Sequence, residues 1–265
     1  MSTLAGIDSL WLVGCGNMGG ALLARWMDAG LVRAAVTVID PAGSGAEGVR
    51  TLARLPDEAM PKVLVTAVKP QVAGAALAPL AARAQPSTLL VSIMAGIDST
   101  TLARLTGFAR IVRAMPNTPV RVGAGVTGLF APGPREPLAQ ALFDAAGTSL
   151  WLESEAEFDA LAALSGCGPA YVFQLIEAMA AAGATAGLSP GMAMQLARAT
   201  VIGAARLAEA DPAPADELRR RVTSPGGMTA AALDVIEGGD RMLSALMTRA
   251  VAAATARSIS PAICS

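Results

Sequence analysis

The sequence predicts an α/β chain in which an N-terminal Rossmann-type domain with a parallel sheet is followed by an all-α C-terminal domain. Short apolar runs rich in valine and isoleucine alternate with helix-like stretches in the first half, as in parallel sheets covered on both faces. The last hundred or so residues, rich in alanine and leucine, have helical patterns only. We therefore predict domains at 1–160 and 161–265, which are long enough to form cores.

The first domain is expected to contain at least five strands and the helices that connect them. One helix over 18–29 ends at Gly30, and a shorter helix ends at Gly107. Either Asp98 or Ser99 could cap the start of that shorter helix. The strands correspond to LWLV (10–13), AVTVI (35–39), VLVTAV (63–68), TLLVSI (88–93) and RIVRAM (110–115), with a further strand-like segment at 148–153.

The first strand runs directly into GCGNMG, which matches the G-x-G-x-x-G pattern. Gly14 permits a tight turn, Gly16 lets a pyrophosphate approach the backbone, and Gly19 allows close packing of helix and strand. The pattern alone is compatible with a plain strand–helix turn, but the flanking strand, helix and second strand favour dinucleotide binding through free N–H groups. The expected cofactor residues in this loop are Gly14, Cys15, Gly16, Asn17, Met18 and Gly19.

Asp40 ends the second strand, about 20 residues beyond the glycines, where an acid would accept hydrogen bonds from the adenosine ribose. The alternative is a solvated turn acid before Pro41. No arginine or lysine lies between Asp40 and Arg50 to bind a 2′-phosphate. The cofactor is therefore expected to be NADH or NADPH, with NADH preferred.

Three further loops follow predicted strands at the edge where open α/β sheets bind ligands. They are AVKPQ (67–71), MAG (94–96) and AMPNTPV (114–120). Each could be a plain connection, but together they could line a single crevice.

The composition excludes several classes of function. The chain has no histidine, and Cys15, Cys167 and Cys264 lack metal-ligand spacing, so no metal site is predicted and a reducing compartment is favoured. A net charge of −1 and 3% aromatic residues offer little to a nucleic acid. No apolar run is long enough for a membrane helix and no signal peptide is evident, so we expect a cytoplasmic protein.

The second half is apolar enough to suggest burial against another subunit. Its helices are predicted at 155–164, 169–186, 190–209, 215–222, 229–237 and 240–257.

Two glycine-containing interruptions, SGCGPAY (165–171) and TSPGGMT (223–229), lie among these helices. Each could present free N–H groups that seat a carboxylate, or could simply allow close packing of helices. The second could also be an ordinary turn with Thr229 as the helix cap. Glu155 is a lone acid before this region, and by itself it is compatible with a surface charge in the run ESEAE.

The assembled motifs resemble those of the pyrroline-5-carboxylate reductases, which complete proline biosynthesis. The resemblance covers nearly the whole chain. It rests on GCGNMGGAL, AVKPQ, VSIMAGI, RAMPNTP, LSGCGPAYVFQLIEAM and VTSPGGMT, of which the last three in this order are the most specific. It implies a C-terminal helical domain that forms a homodimer, often within a larger homo-oligomer.

The resemblance also implies positions for the ligands. The nicotinamide would lie against the segments of Val68, Lys69, Pro70, Ala95 and Asn117. The substrate would contact Ser224, Gly226, Gly227, Met228 and Thr229, with Glu155 near the ring nitrogen.

This chain departs from the family pattern at several positions. Cys167 replaces a serine, and Ala181 replaces a common aspartate. Arg221 occupies a position that can touch the cofactor. Asp40 differs from members that favour NADPH.

Reduction of a cyclic imine is compatible with the small number of proton-donating side chains in this chain. The helical half has neither lysine nor histidine, which argues against hydroxyacid dehydrogenases of similar plan. A cyclic imine protonated on nitrogen accepts hydride without a strong acid beside it, so orientation dominates. Thr229 is the expected catalytic residue and would bond the ring nitrogen. The alternatives are reduction of another small cyclic imine, or a catalytically silent dinucleotide-binding regulatory protein.

Overall fold

The computed structural model describes residues 4–259, apart from the side chains of 239–241 and 258–259. The chain forms two compact units. The first comprises the described residues up to Gly166 and those from Arg257 onward, and the second comprises Cys167–Ala256.

The first unit is built on one eight-stranded sheet with the order β3-β2-β1-β4-β5-β6-β7-β8. Strands β1 to β6 are mutually parallel, β7 is antiparallel to β6, and β8 is parallel to β7. The predicted α/β fold with a Rossmann-type parallel sheet is confirmed. The strands are β1 (Leu10–Val13), β2 (Val36–Ile39), β3 (Arg50–Leu52), β4 (Val63–Thr66), β5 (Leu89–Ser92), β6 (Arg110–Pro116), β7 (Gly125–Phe130) and β8 (Gly147–Trp151).

The central strands are apolar on both faces, as parallel sheets require. Every residue of β1, β2, β4 and β5 is buried. Val13 is level with Ile39 on one side and with Thr66 on the other. The carboxyl ends of β1, β2 and β4 therefore meet where the strand order reverses, which is the ligand-binding position of this fold.

In the described part of the first unit, five α-helices precede Cys167 and accompany the sheet. Asp98 caps α3, because its carboxylate accepts a hydrogen bond from Thr101 N at 2.6 Å, and Gly107 ends the helix with φ of 72°. This confirms Asp98, rather than Ser99, as the cap. The helices are α1 (Asn17–Asp28), α2 (Ala73–Leu77), α3 (Ser99–Thr106), α4 (Pro137–Asp144) and α5 (Glu157–Leu161), followed by a π-helical turn at Ala162–Gly166.

The second unit contains helices and connecting loops but no strand in the described residues. It contains α6 (Gly168–Thr185), α7 (Pro190–Ala210), α8 (Ala215–Arg221) and the part of α9 (Met228–Ile259) that falls within the unit. Ser189 caps α7 by accepting a hydrogen bond from Met192 N. Many large apolar side chains of this unit are exposed, including Phe173 at 62%. Such surfaces are typical of a helical unit that is completed by another subunit.

Three sequence-based assignments were wrong. The helices predicted at 229–237 and 240–257 are one continuous helix, α9. Glycine costs only about 1 kcal/mol relative to alanine in a helix, so the pair at 238–239 does not end it among good helix formers. Strands β3 and β7 were not predicted, because β3 has three residues and β7 contains two glycines. Close packing explains both glycines, because a Cβ at Gly125 would lie 3.0 Å from Ala146 O and a Cβ at Gly128 would collide with Leu161.

No helix in the part of the chain that the structure describes is long and apolar enough to cross a membrane. The cytoplasmic location stays a prediction from the sequence.

Candidate active site

The glycine loop connects β1 to α1 with the backbone that the motif predicts. Gly14 has φ of 91°, and a Cβ there would lie 2.8 Å from Ala67 O. A Cβ at Gly19 would collide with Gly14 O, whereas one at Gly16 would meet nothing within 4 Å. Gly14 and Gly19 therefore allow close packing, and Gly16 leaves open space above the loop.

The start of α1 offers unpaired hydrogen-bond donors. The first helical hydrogen bond runs from Gly20 N to Gly16 O at 2.8 Å. Among the described residues, the backbone N–H groups of 16–19 have no acceptor. Unpaired N–H groups at a helix start, with the helix dipole behind them, favour a phosphate ligand.

Asp40 is a buried acid that bonds the glycine loop. Its Oδ2 accepts a hydrogen bond from Cys15 N, and its Oδ1 accepts one from Ala42 N, each at 2.8 Å. The residue is only 8% exposed, so the alternative of a solvated turn acid is wrong. Because each carboxylate oxygen has two lone pairs, both can still accept a ribose hydroxyl.

The Cys15 thiol lies beside this carboxylate. Burial raises the pKa of the thiol above its ordinary value, and the charge of Asp40 raises it further. The thiolate is the reactive form of cysteine. A raised pKa lowers the fraction of Cys15 thiolate at neutral pH, which agrees with a packing role.

An apolar cleft of about 580 Å³ lies over the carboxyl ends of β1, β2 and β4. Val13, Ile39, Pro41, Arg54 and Val68 are among its lining residues. Its position beside Asp40 fits the adenosine end of a dinucleotide. Arg54 was not predicted from the sequence, because it follows β3, a strand without a clear pattern.

A second groove, of about 440 Å³, runs along α1 from the glycine loop. It is lined by Gly16, Asn17, Ser44 and Arg121, among others. Arg121 was also missed from the sequence, since it lies more than a hundred residues from the loop that it faces. A cation at this position adds to the preference of the groove for phosphate.

Other predicted cofactor residues follow the neighbouring strands on the same edge. Val68, Lys69 and Pro70 follow β4, and Ala95 follows β5, with Lys69 and Ala95 exposed. Met18 is half-buried near the start of α1. The structure thus brings these residues to one edge of the sheet.

Asn117 follows β6, but its side chain is occupied by the protein. Nδ2 donates to Ser165 O and to Ser165 Oγ, both at 3.1 Å, while Oδ1 accepts from Val126 N at 2.8 Å. The residue is 8% exposed. These contacts favour a role in holding the loop after β6, rather than a side-chain bond to the cofactor.

Glu155 lies in the first unit and is also engaged. Its Oε1 accepts from Ser99 N and from Arg113 Nη1, both at 2.7 Å, and its Oε2 accepts from Ser99 Oγ at 2.9 Å. The Arg113 guanidinium also lies 4.3 Å from the ring centroid of Phe158. Glu155 is therefore not a solvated surface charge. Its three hydrogen bonds favour a supporting role over direct contact with a substrate.

The residues of the SPGGMT turn lie in the second unit. Gly226 has φ of 69°, and a Cβ at Gly227 would collide with Ser224 Oγ. The left-handed backbone at Gly226 favours glycine, and any side chain at position 227 would have to displace the Ser224 hydroxyl. The alternative in which Thr229 caps the helix is wrong, because α9 already begins at Met228.

The start of α9 is a second helix start with free donors. Gly227 N donates to Ser224 O, and Ala231 N makes the first helical bond to Gly227 O, both at 3.1 Å. The N–H groups of 228–230 have no acceptor within the described residues. Ser224 and Thr229 are exposed beside them. This arrangement is able to bind a carboxylate.

Comparison with known proteins agrees with both halves of this description. Residues 155–260 match the family model for pyrroline-5-carboxylate reductase dimerisation, and residues 9–96 match that for NADP oxidoreductase, coenzyme F420-dependent. The pyrroline-5-carboxylate reductase of Pseudomonas aeruginosa is 43% identical over 185 residues, which cover 68% of this chain and 67% of that protein. The chain belongs to the pyrroline-5-carboxylate reductase family.

Solved members of the pyrroline-5-carboxylate reductase family have the same fold over almost their whole length. The enzyme from Coxiella burnetii superposes with a TM-score of 0.86 at 32% identity, covering 96% of this chain and 98% of that one. The Plasmodium falciparum enzyme, solved with NADP bound, has a TM-score of 0.80 at 29% identity and covers 96% and 97%.

As a member of the pyrroline-5-carboxylate reductase family, the chain is an NAD(P)H-dependent oxidoreductase that acts on a C=N bond. The match to the dimerisation model also supports self-association.

Proposed function

We propose that the chain reduces 1-pyrroline-5-carboxylate to L-proline, with NADH as the preferred donor. In this proposal the cofactor binds at the carboxyl ends of the strands, and the substrate binds at the start of α9. The observation that carries it is the set of unpaired N–H groups at 228–230, beside the exposed Ser224 and Thr229.

The substrate carboxylate would bind at the start of α9. Three N–H groups point from the first turn of a 32-residue helix, so the helix dipole favours an anion there. Gly226 and Gly227 keep the turn compact, and Met228 is 93% exposed in the single chain. The Ser224 hydroxyl adds a further possible donor to the same carboxylate.

The Thr229 hydroxyl would bind the ring nitrogen. It has no hydrogen-bond partner in the described part of the chain, so it is free to accept a bond from the protonated imine N–H. That bond favours the protonated, electrophilic form of the substrate. The ring nitrogen receives the electron pair of the C=N bond as the carbon is reduced.

The cofactor would lie across the edge of the first unit. When bound, reduced nicotinamide supplies the hydride that the imine carbon accepts. The N–H groups of 16–19 would hold the pyrophosphate, and Asp40 would accept hydrogen bonds from the ribose hydroxyls. The loops at Lys69, Ala95 and Asn117 would shape the nicotinamide end. A carboxylate at position 40 disfavours a nearby 2′-phosphate, so NADH is preferred.

The functional form would be a homodimer, or a larger homo-oligomer built from dimers. The exposed apolar side chains of α6, α7 and α9 need a covering surface, and a second copy of the same helices supplies one.

The test is the consumption of NADH on addition of pyrroline-5-carboxylate, with proline identified as the product. Other small cyclic imines serve as competing substrates. NADH binding without turnover of any imine would favour the alternative of a silent regulatory protein. Faster turnover of a different imine would identify another substrate.

A further inference from the structure

The π-helical turn at Ala162–Gly166 ends the first segment of the first unit, shortly before α6 begins. A turn of this kind is rare and often marks a functional position. Ala163 within it is buried, and Leu161 just before it packs against β7, where a Cβ at Gly128 would collide with its side chain. The turn is therefore packed against the sheet of the first unit.

The carbonyl group of Ser165 in this turn lacks its usual helical donor. In an α-helix it would accept the N–H of the residue four positions on, but that residue is Pro169, which has no N–H. The next N–H, that of Ala170, donates to Cys167 O at 2.9 Å. Because Ser165 is half-buried and an unpaired carbonyl there would be costly, the Ser165 carbonyl needs a donor from elsewhere.

The side chain of Asn117 supplies that donor. Its Nδ2 lies 3.1 Å from both Ser165 O and Ser165 Oγ, and its Oδ1 accepts from Val126 N at 2.8 Å. The backbone N–H of Asn117 also donates to Val126 O, at 3.2 Å. One buried amide thus joins the loop after β6, the start of β7 and the turn before α6.

We propose that Asn117 is a positioning residue for hydride transfer, which acts through Ser165 by holding the turn before α6 against the loop after β6. This inference rests on the proposed function, in which the loop after β6 shapes the nicotinamide end and the substrate binds beyond the turn along the chain, at the start of α9. The rate of transfer is sensitive to displacements of about 1 Å between the reacting groups. Loss of the contact between Asn117 and Ser165 should therefore lower kcat and leave the binding of either ligand nearly unchanged.

The experiment compares Asn117→Asp and Ser165→Ala with the unmodified protein by steady-state kinetics, NADH titration and hydrogen exchange. Asn117→Asp keeps an acceptor for Val126 N but removes the donor to Ser165 O. Ser165→Ala removes one of the two acceptors and adds no charge. The matched control is Ser9→Ala, because the Ser9 hydroxyl likewise accepts one N–H, from Lys62, but lies before β1 at the other end of the strands.

We expect kcat for pyrroline-5-carboxylate to fall about tenfold in Asn117→Asp and about threefold in Ser165→Ala, because each variant loses a hydrogen bond that holds the turn. The KM for the imine and the Kd for NADH should stay within about twofold of the unmodified protein. Backbone N–H groups of 162–168 should exchange faster in Asn117→Asp than in the unmodified protein at the same pH, whereas exchange in β1 should not change. Ser9→Ala should leave kcat, Kd and the exchange at 162–168 unchanged.

Three results would overturn the assignment. Unchanged exchange at 162–168 in Asn117→Asp would show that Asn117 does not hold the turn. Faster exchange with normal kcat would show that the turn does not position the reacting groups. A raised Kd for NADH in Asn117→Asp, with normal kinetics in Ser165→Ala, would mean that Asn117 contacts the cofactor directly.

The exchange measurement also separates this inference from the proposed function, because it needs no turnover. An unmodified protein that reduces no imine would contradict the proposed function. Faster exchange at 162–168 in Asn117→Asp would in that case still establish that Asn117 holds the turn before α6.

Discussion

Arg113 Nη1 donates to Glu155 Oε1 at 2.7 Å, and the same oxygen accepts the backbone N–H of Ser99. One carboxylate thus joins β6, the first residue of α3 and the segment before α5. The loop that contains Ala95 ends at this junction. Glu155 therefore fixes the shape of the sheet edge on which the cofactor is proposed to lie.

Glu155→Gln should lower the free energy of unfolding, because it leaves the guanidinium of Arg113 buried without its counter-charge. The Glu155 side chain is 24% exposed, so we expect a loss of about 1–3 kcal/mol, below that of a fully buried pair. Urea denaturation measures it. The control is Glu153→Gln, which breaks the exposed pair with Arg135 and should cost about 0–1 kcal/mol.

The same variants separate a supporting role from substrate contact. If Glu155 supports the loop, any change that Glu155→Gln causes in kcat/KM should appear in part in Ser99→Ala, which removes the hydroxyl that bonds the same carboxylate. A rise in the KM for pyrroline-5-carboxylate in Glu155→Gln alone, with normal stability, would show instead that Glu155 touches the substrate.

Gly227→Ala should raise the KM for pyrroline-5-carboxylate about tenfold or more. The new methyl group would displace the Ser224 hydroxyl and distort the proposed binding site for the substrate carboxylate. The KM for NADH should not change, because the glycine loop is untouched. Steady-state kinetics decide the matter. Gly203→Ala in α7 is the control, because a Cβ there meets nothing within 4 Å. Normal substrate affinity in Gly227→Ala would refute the proposed seat.

Asp40→Asn should shift the cofactor preference toward NADPH. The amide keeps an acceptor for the ribose but removes the negative charge that repels a 2′-phosphate. We expect the ratio of kcat/KM for NADPH to that for NADH to rise about tenfold. Asp28→Asn, at the exposed end of α1, is the control for charge alone. An unaltered ratio would show that Asp40 does not set the preference.

Cys15 should resist alkylation at neutral pH and react faster only above the ordinary thiol range. Its pKa is raised by burial and by Asp40, so the native state holds the proton more tightly than the unfolded state does. The sign follows directly: this contribution to stability is complete below the unfolded pKa and is lost as pH rises through the raised native pKa. Peptide-resolved mass spectrometry measures the rate, and the same protein in denaturant is the control. Rapid labelling of native Cys15 at pH 7 would contradict this account.

Local patterns were sufficient to predict the backbone geometry of the candidate site where it depends on short stretches of chain. The glycine loop, the carboxylate of Asp40 and the turn at Gly226 and Gly227 each depend on a few adjacent residues with strict backbone requirements. The cap of α3 was likewise predicted to be Asp98 or Ser99 from their place before an apolar helical pattern, and the structure selects Asp98.

Contacts between distant residues could not be predicted in this way. Glu155 and Arg113 are 42 positions apart, and nothing in the acidic run around Glu155 indicates which cation it meets. Arg54 depends on β3, whose three residues are too few for a periodic signal. Asn117 was correctly predicted to lie in a loop, but its hydrogen-bond partner Ser165 is 48 positions away and is brought near only by folding.

The kcat/KM for pyrroline-5-carboxylate in Thr229→Ala, measured at saturating NADH, tests the central claim most directly. If the hydroxyl at the start of α9 binds the ring nitrogen, that value should fall about tenfold while the KM for NADH and the stability stay unchanged, and Thr229→Ser should recover most of the activity. Full activity in Thr229→Ala would contradict the claim that this helix start holds the imine.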